Sequence, residues 1–317
     1  MENKIIPVFF ATDDNYAPYL GAAIYSMLEN ASKDYFYNIH ILTTQFNEEN
    51  RAKINALQDD KSKIIFEDMS DVLVSYGERL HTRHYYSVAT YYRLFIAELF
   101  PQYDKGFYFD SDMIFLGDIA ELFNYDLKHN LLGGAIEPVM QIPIFASYTE
   151  HVLNVPREEY INAGMLLMDL KGLREFKLED KFIKTLAIKT YTVAQDQDYI
   201  NEILKNRILM LEDKWNLTAS PGVVCDDPKI VHFKLNFRPW HYKGIPYEKE
   251  FWKYAEKSGY YEFLKNHYEN YSFADRLNDK FVMEQLARAA MKDTLKACPE
   301  LTMSDLVIDV DKLNPKG

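Results

Sequence analysis

Apolar residues fall in short blocks along this chain, each closed by polar or acidic residues. Residues 5–11, IIPVFFA, form the first block and end in Thr12-Asp13-Asp14-Asn15. Such unbroken runs fit strands buried on both faces. Residues 16–29 follow with Leu20, Ile24, Met27 and Leu28 at helical spacing. Residues 38–43 and 63–66 read as further strands, with a helix over 48–57 between them. This alternation predicts an α/β domain on a mainly parallel sheet. Ligands of such sheets sit beyond the carboxyl ends of the strands, near the switch point. Asp13, just past the first strand, is therefore a candidate for the crevice.

The densest signal is KGFYFDSDMIFLG at 105–117. Phe107-Tyr108-Phe109 reads as a buried strand that stops in Asp110-Ser111-Asp112, and a second apolar run begins at Met113. Two carboxylates one residue apart point to roughly the same side of an extended chain. Like charges held that close at a buried strand end call for a cation. Their hard oxygens suit Mg²⁺ or Mn²⁺.

The remaining blocks add candidates. Residues 87–95 open a predicted helix that ends before Pro101. Its Thr90, Arg93, Leu94 and Ala97 share a face. Arg93 there needs an acid or an anion. A strand over 131–136 ends in Glu137-Pro138. Residues 139–159 show no clear period and read as a long loop, a lid or substrate rim. A strongly apolar strand over 160–170 is entered through Asn162, Ala163 and Gly164. Small residues there let a ligand approach closely. Residues 177–189 form an amphipathic helix, and Gln195-Asp196-Gln197-Asp198 opens another over 199–205. Capping and the helix dipole account for the acids, but not for Gln197. Strands follow at 208–211 and 229–233, the second carrying His232 with Lys234 and Arg238 close behind. From Tyr247 the chain turns aromatic, and 275–297 reads as one or two amphipathic helices.

Composition narrows the function. The 317 residues are 48% hydrophobic and 26% charged, as in an ordinary globular protein. The net charge of −12 argues against nucleic acid as a partner. A phosphorylated substrate must be met by local cations or by a metal. Cys225 and Cys298 can build neither a disulfide framework nor a zinc site. No signal-peptide pattern opens the chain, and no run of about 18 apolar residues exists. Acids and bases nearly balance after residue 274, so no polybasic anchor is expected. The expected location is the cytoplasm or the inner face of the membrane, with at most peripheral association.

Taken in order, FFATDDNYAPYL, ATYYRL, FYFDSDMIF, YINAGMLLMDL, QDQDYIN and HFKLNFRPWH resemble glycosyltransferase family 8. That family includes bacterial lipopolysaccharide α-galactosyl- and α-glucosyltransferases and glycogenin. The resemblance runs from about residue 5 to 242. It implies a Rossmann-like GT-A catalytic domain over 1–245, followed by a mostly helical C-terminal extension over 246–317. It further implies transfer of galactose or glucose from UDP-galactose or UDP-glucose to a glycan or glycolipid acceptor. The linkage would be α, the cofactor Mn²⁺ or Mg²⁺, and the setting cell-surface polysaccharide or lipopolysaccharide synthesis. Carried over by position, Ala11, Thr12, Asp13, Asn15 and Tyr16 would cradle the uridine. Arg93, Ser111 and Arg238 would meet the donor's phosphate and sugar. Asp110, Asp112 and His232 would hold the metal. Asn162, Asp196, Gln197 and Asp198 would serve the transferred sugar, and Glu137 the acceptor.

The chemistry suits those roles. Breaking a sugar–UDP bond releases a diphosphate with added negative charge, which a divalent metal stabilises as a Lewis acid. A carbonyl such as that of Gln197 can stabilise an oxocarbenium-like sugar. An amide is a poor nucleophile, which favours front-side displacement, with a covalent intermediate as the alternative. Two positions depart from the family's pattern. Its last motif reads H-F-x-G-x-x-K-P-W, whereas Leu235 and Arg238 stand here for Gly and Lys. Leucine is expected to restrict backbone approach to the diphosphate, while arginine keeps the charge. Glu137 stands where many members carry Asp, which points to a different acceptor. Two other functions compete. A haloacid-dehalogenase-type phosphohydrolase also places D-x-D after an apolar strand, but Met113-Ile114 follow here and the motif lies mid-chain. A non-catalytic sugar-nucleotide or glycan-binding protein is the other, favoured by Leu235 and opposed by the intact acidic motif.

Overall fold

A computed structural model describes residues 4–80, 87–220, 222, 223, 225–303 and 306. The rest of the expected extension, including 307–317, lies outside the described residues. The strands are β1 (Lys4–Ala11), β2 (Tyr35–Thr43), β3 (Ser62–Asp68), β4 (Lys105–Phe109), β5 (Met113–Phe115), β6 (Leu132–Ala135), β7 (Met165–Asp169), β8 (Ile208–Leu211), β9 (Leu217–Thr218) and β10 (Ile230–His232). Seven of them form one sheet in the order β3-β2-β1-β4-β7-β6-β8. Only β7 runs against its neighbours, so the sheet is mainly parallel, as the alternation of strands and helices implies.

The strands alternate their side chains between two cores. Ile6, Val8, Phe10, Phe107, Phe109, Met165 and Leu167 join the cluster on one face. Phe9, Tyr108, Leu166 and Met168 join the cluster on the other. Burial on both faces is why these strands read as continuous apolar runs rather than alternating ones.

Strand order also gathers the candidate residues. The chain moves outward from β1 through β2 to β3, then returns to β4 on the opposite side of β1. The carboxyl ends of β1 and β4 lie side by side, with Phe10 paired to Phe109. Because β7 is antiparallel, its beginning meets the end of β4, with Met165 paired to Phe109. Thus Asp13, Asp110 and the approach segment Asn162-Ala163-Gly164 reach the same edge, the switch point of the sheet. A second sheet, β5-β10-β9, adds His232, which pairs with Met113 directly after Asp112.

Several expected elements differ. The segment read as a helix over 87–95 is a 3-10 helix, Val88–Leu94, followed by one α turn, Ile96–Leu99. The stretch read as a loop over 139–159 holds the α-helix Pro143–His151, with short 3-10 turns on either side. Pro143 fits the first helical position, where its missing N–H has no helical partner to lose. The helix expected over 177–189 begins earlier, as Leu170–Phe176, and restarts as Leu178–Leu186 around Lys177 at φ 58°. The last described helix is continuous from Phe273 to Ala297. It starts at a capping box in which Ser272 and Asp275 satisfy each other's backbone N–H groups. Its Val282, Met283, Leu286, Ala287 and Ala290 join the second core.

Candidate active site

The acidic corner is built first. Asp110 leaves β4 with its backbone N–H donating to the Gly164 carbonyl at 2.7 Å. Its Oδ1 accepts from Tyr108 OH at 2.8 Å and from Arg93 Nη2 at 2.9 Å. Its Oδ2 faces His232 Nε2 at 3.8 Å, and Asp112 Oδ1 lies 3.1 Å from the same nitrogen. One ligand atom from each of Asp110, Asp112 and His232 can be chosen so that all three lie within 4.8 Å of one another. Two hard carboxylate oxygens and an imidazole suit a divalent cation such as Mn²⁺ or Mg²⁺. Burial opposes ionisation of Asp112, but the facing His232 and Arg238 hold its pKa below the usual carboxylate range. Ser111 is buried, and its Oγ has no hydrogen-bond partner among the described residues. A polar atom left over beside such a cluster fits a site completed by a ligand.

Only glycine fits at 164. A Cβ there would stand 2.4 Å from His232 Cε1 and 2.6 Å from Asp110 Oδ2. The small residue expected to admit a ligand thus admits the acidic corner itself.

Arg93 joins this corner to the next. It is buried, with Nε 3.0 Å from Asp196 Oδ2, Nη1 donating to the Ala163 carbonyl, and its guanidinium 4.2 Å from the Tyr108 ring centroid. The acid expected for a buried arginine is therefore two acids, Asp110 and Asp196. Burial pushes the Asp196 pKa up to about 6, against the pull of Arg93.

Beside it lies an amide corner. Gln197 Oε1 accepts from Ala163 N at 2.9 Å and from Asn162 Nδ2 at 3.2 Å. Asn162 Nδ2 also donates to Glu137 Oε2 at 2.6 Å. Glu137 Oε1 is paired with Lys234 Nζ and accepts from Val139 N at 3.0 Å. Burial would raise the Glu137 pKa, but Lys234 outweighs it and the carboxyl stays below its usual range.

These corners line one cleft of about 1070 Å³ of atom-free space, mouth included. Its walls include Ala11, Thr12, Asp13, Tyr16, Arg93, Asp110, Ser111, Asp112, Glu137, Asn162, Asp196, Gln197, His232 and Arg238. Two expected site residues are not among them. Asn15 is exposed, and its backbone N–H is taken by the Asp13 carboxylate at 3.0 Å. Asp198 is fully buried behind the cleft, held by Tyr160 OH at 2.6 Å and by Tyr148 OH and Ala194 N at 2.9 Å. Leu235 lies on the wall at φ 54°, so the backbone keeps the left-handed conformation that glycine adopts most easily. Three lining residues had no sequence signal: Leu286, from the C-terminal helix, and the neighbours Val193 and Ala194. Asn216, which bridges His232 and Asn162, was also missed, since one asparagine between Trp215 and Leu217 forms no motif.

The chain as a whole is similar to known glycosyltransferases. A lipopolysaccharide 1,2-glucosyltransferase of Escherichia coli (strain K12) is 23% identical over 270 residues, covering 78% of this chain and 77% of that protein. Among solved structures, the apo WbbM bifunctional glycosyltransferase aligns with a TM-score of 0.73 at 24% identity. That alignment covers 84% of this chain and 52% of the larger one. The galactosyltransferase LgtC, solved with donor and acceptor sugar analogues, aligns with a TM-score of 0.65 at 24% identity, over 80% of this chain and 96% of that one. These structures share the GT-A fold. The sequence pattern of glycosyl transferase family 8 matches residues 7–244, and the chain belongs to that family.

Proposed function

We propose that the protein is a retaining hexosyltransferase that moves galactose or glucose from its UDP-sugar to a glycan or glycolipid acceptor. The expected product is an α-linked surface glycan. The observation that carries the reading is the convergence of Asp110, Asp112, His232, Arg93, Asp196 and Gln197 on the cleft at the sheet's switch point. Residues 1–245 would form the catalytic domain and 246–317 its extension, working in the cytoplasm or at the inner membrane face. No described helix is long and apolar enough to cross a membrane.

Ala11, Thr12, Asp13 and Tyr16, on the side of β1, would hold the nucleoside. A divalent cation on Asp110, Asp112 and His232 would supply Lewis-acid stabilisation of the departing diphosphate. Arg238 adds a fixed positive charge on the same wall. Arg93 would fix Asp196 against the hexose. The Gln197 carbonyl, held by Ala163 N–H, would present its dipole where positive charge develops on the sugar. Because the amide occupies that side, the acceptor hydroxyl would arrive on the face the diphosphate leaves.

The test is slow hydrolysis without acceptor. Pure protein with Mn²⁺ should release UDP from UDP-galactose or UDP-glucose. Proton NMR before mutarotation should show the α-sugar first. A β-sugar appearing first would overturn the retaining mechanism, and no release from either donor would overturn the donor assignment.

A further inference from the structure

The side-chain amides behind the acidic corner form a directional chain. Asparagine oxygen and nitrogen are told apart by their partners. A backbone N–H can only donate, so the atom that meets Gly164 N at 3.0 Å is Asn162 Oδ1. A carboxylate paired with lysine accepts, so the atom that meets Glu137 Oε2 at 2.6 Å is Asn162 Nδ2. Two independent anchors therefore agree on the orientation of Asn162. Its Oδ1 also accepts from Asn216 Nδ2 at 2.9 Å, which turns Asn216 Oδ1 to His232 Nδ1 at 3.0 Å. An amide oxygen only accepts, so Nδ1 carries a ring hydrogen. Nε2 faces the carboxylate oxygens of Asp112 at 3.1 Å and Asp110 at 3.8 Å, which also only accept, so in the metal-free site it holds the proton that a divalent cation would displace. Glu137, Asn162, Asn216 and His232 are all at least nine-tenths buried, so water does not offer an easy substitute partner.

We propose that Asn216 is a positioning residue. Through this chain Glu137, Asn162 and Asn216 hold His232 in the tautomer that offers Nε2 to a divalent cation. A ring protonated on Nε2 alone would place the bare Nδ1 against the Asn216 oxygen and keep its only proton where the cation must bind. Lys234 holds the far end by keeping Glu137 an acceptor. Asn162 also contacts Gln197, so one side chain registers both the acidic and the amide corners. The inference rests on the metal reading of Asp110, Asp112 and His232.

Two readouts test it without turnover. Two-bond ¹H–¹⁵N spectra of the metal-free protein, with the His232 signals assigned by their loss in His232→Gln, report the tautomer. Electron paramagnetic resonance of free Mn²⁺ reports affinity. The wild type should show Nδ1–H. Asn216→Ala should lose that preference and bind Mn²⁺ about 10- to 100-fold more weakly, the usual effect of removing an outer-shell partner. Asn216→Asp keeps the acceptor for Nδ1, so it should keep the tautomer and bind Mn²⁺ at least as well as Asn216→Ala. A bare Nδ1 in the wild type or in Asn216→Asp would overturn the chain. So would wild-type tautomer and affinity in Asn216→Ala. A wild type with Nδ1–H but no saturable Mn²⁺ binding would remove the metal centre, and with it the role given to Asn216. UDP release from neither donor, with Mn²⁺ still bound, would count against the transferase reading alone.

Discussion

Asp196, Gln197 and Asp198 open one helix yet serve three different neighbours: Arg93, the Ala163 N–H and a tyrosine pair. Successive residues on a helix turn by about 100°, so only part of a run of polar residues can face one cleft. Asp198 is the one turned inward. Burial pushes its pKa from 3.8 up to about 7, despite its three donors. The folded chain then holds a proton that the unfolded chain has released between those values. Its contribution to stability is full below about pH 3.8 and is lost as pH rises to about 7. Asp198→Asn removes this dependence. Relative to wild type, the variant should gain stability on going from pH 5 to pH 8 in urea titrations. An unchanged difference between the two would show that Asp198 is ionised throughout. The acids and Arg93 were readable in the sequence because charge inside an apolar run demands an explanation. Their facing directions were not readable, since these depend on helix starts, which are poorly marked here. Asn216 was silent, because its role exists only once β9 lies beside β10.

The strands were legible for the same reason that they are stable. Runs such as FYF and MLLM are buried on both sheet faces, and no other element of that length accounts for them. Helices with mixed partners were harder to see. Residues 143–151 bury Ile144, Phe145, Ala146, Tyr148 and Thr149, too wide an apolar face to show a clean period. The antiparallel sense of β7 left no local mark either, yet it brings Asn162 to the cleft. The C-terminal helix is the most consequential case. Its first turns expose Phe273, Leu277 and Phe281, whereas from Val282 onward it buries a stripe in the second core and delivers Leu286 to the cleft wall. Ala290 is fully buried on that stripe and Arg288 is exposed. Ala290→Glu should therefore cost several kcal/mol by burying an unpaired charge, lowering the melting temperature and weakening UDP binding as the wall shifts. Arg288→Glu, a larger change in charge, should do neither. Equal melting temperatures for the two variants would mean that the helix is not seated as described.

The molecule as a whole is acidic, yet its family acts on nucleotide-sugar chemistry. With a net charge of −12 and Asp110 and Asp112 converging on one cleft wall, the protein repels a diphosphate over long range and at contact. The fixed positive charges on that wall are partly committed: Arg93 is paired with Asp110 and Asp196, and Lys234 with Glu137. Neither cation nor nucleotide should then bind strongly alone, while each should relieve the charge that opposes the other. The cleft is also assembled from both sheets and the C-terminal helix, so ligands held there oppose global unfolding rather than a local opening. A ligand at 100 times its Kd stabilises by about 2.7 kcal/mol. Thermal melting should accordingly show small shifts for Mn²⁺ alone and for UDP alone, and a shift larger than their sum for both. Chelation should remove the excess, and Asp110→Ala should abolish it while leaving the ligand-free transition cooperative. If UDP instead raises the melting temperature equally with and without chelator, Arg238 and the β1 residues carry the diphosphate unaided, and the acidic corner has no part in donor binding.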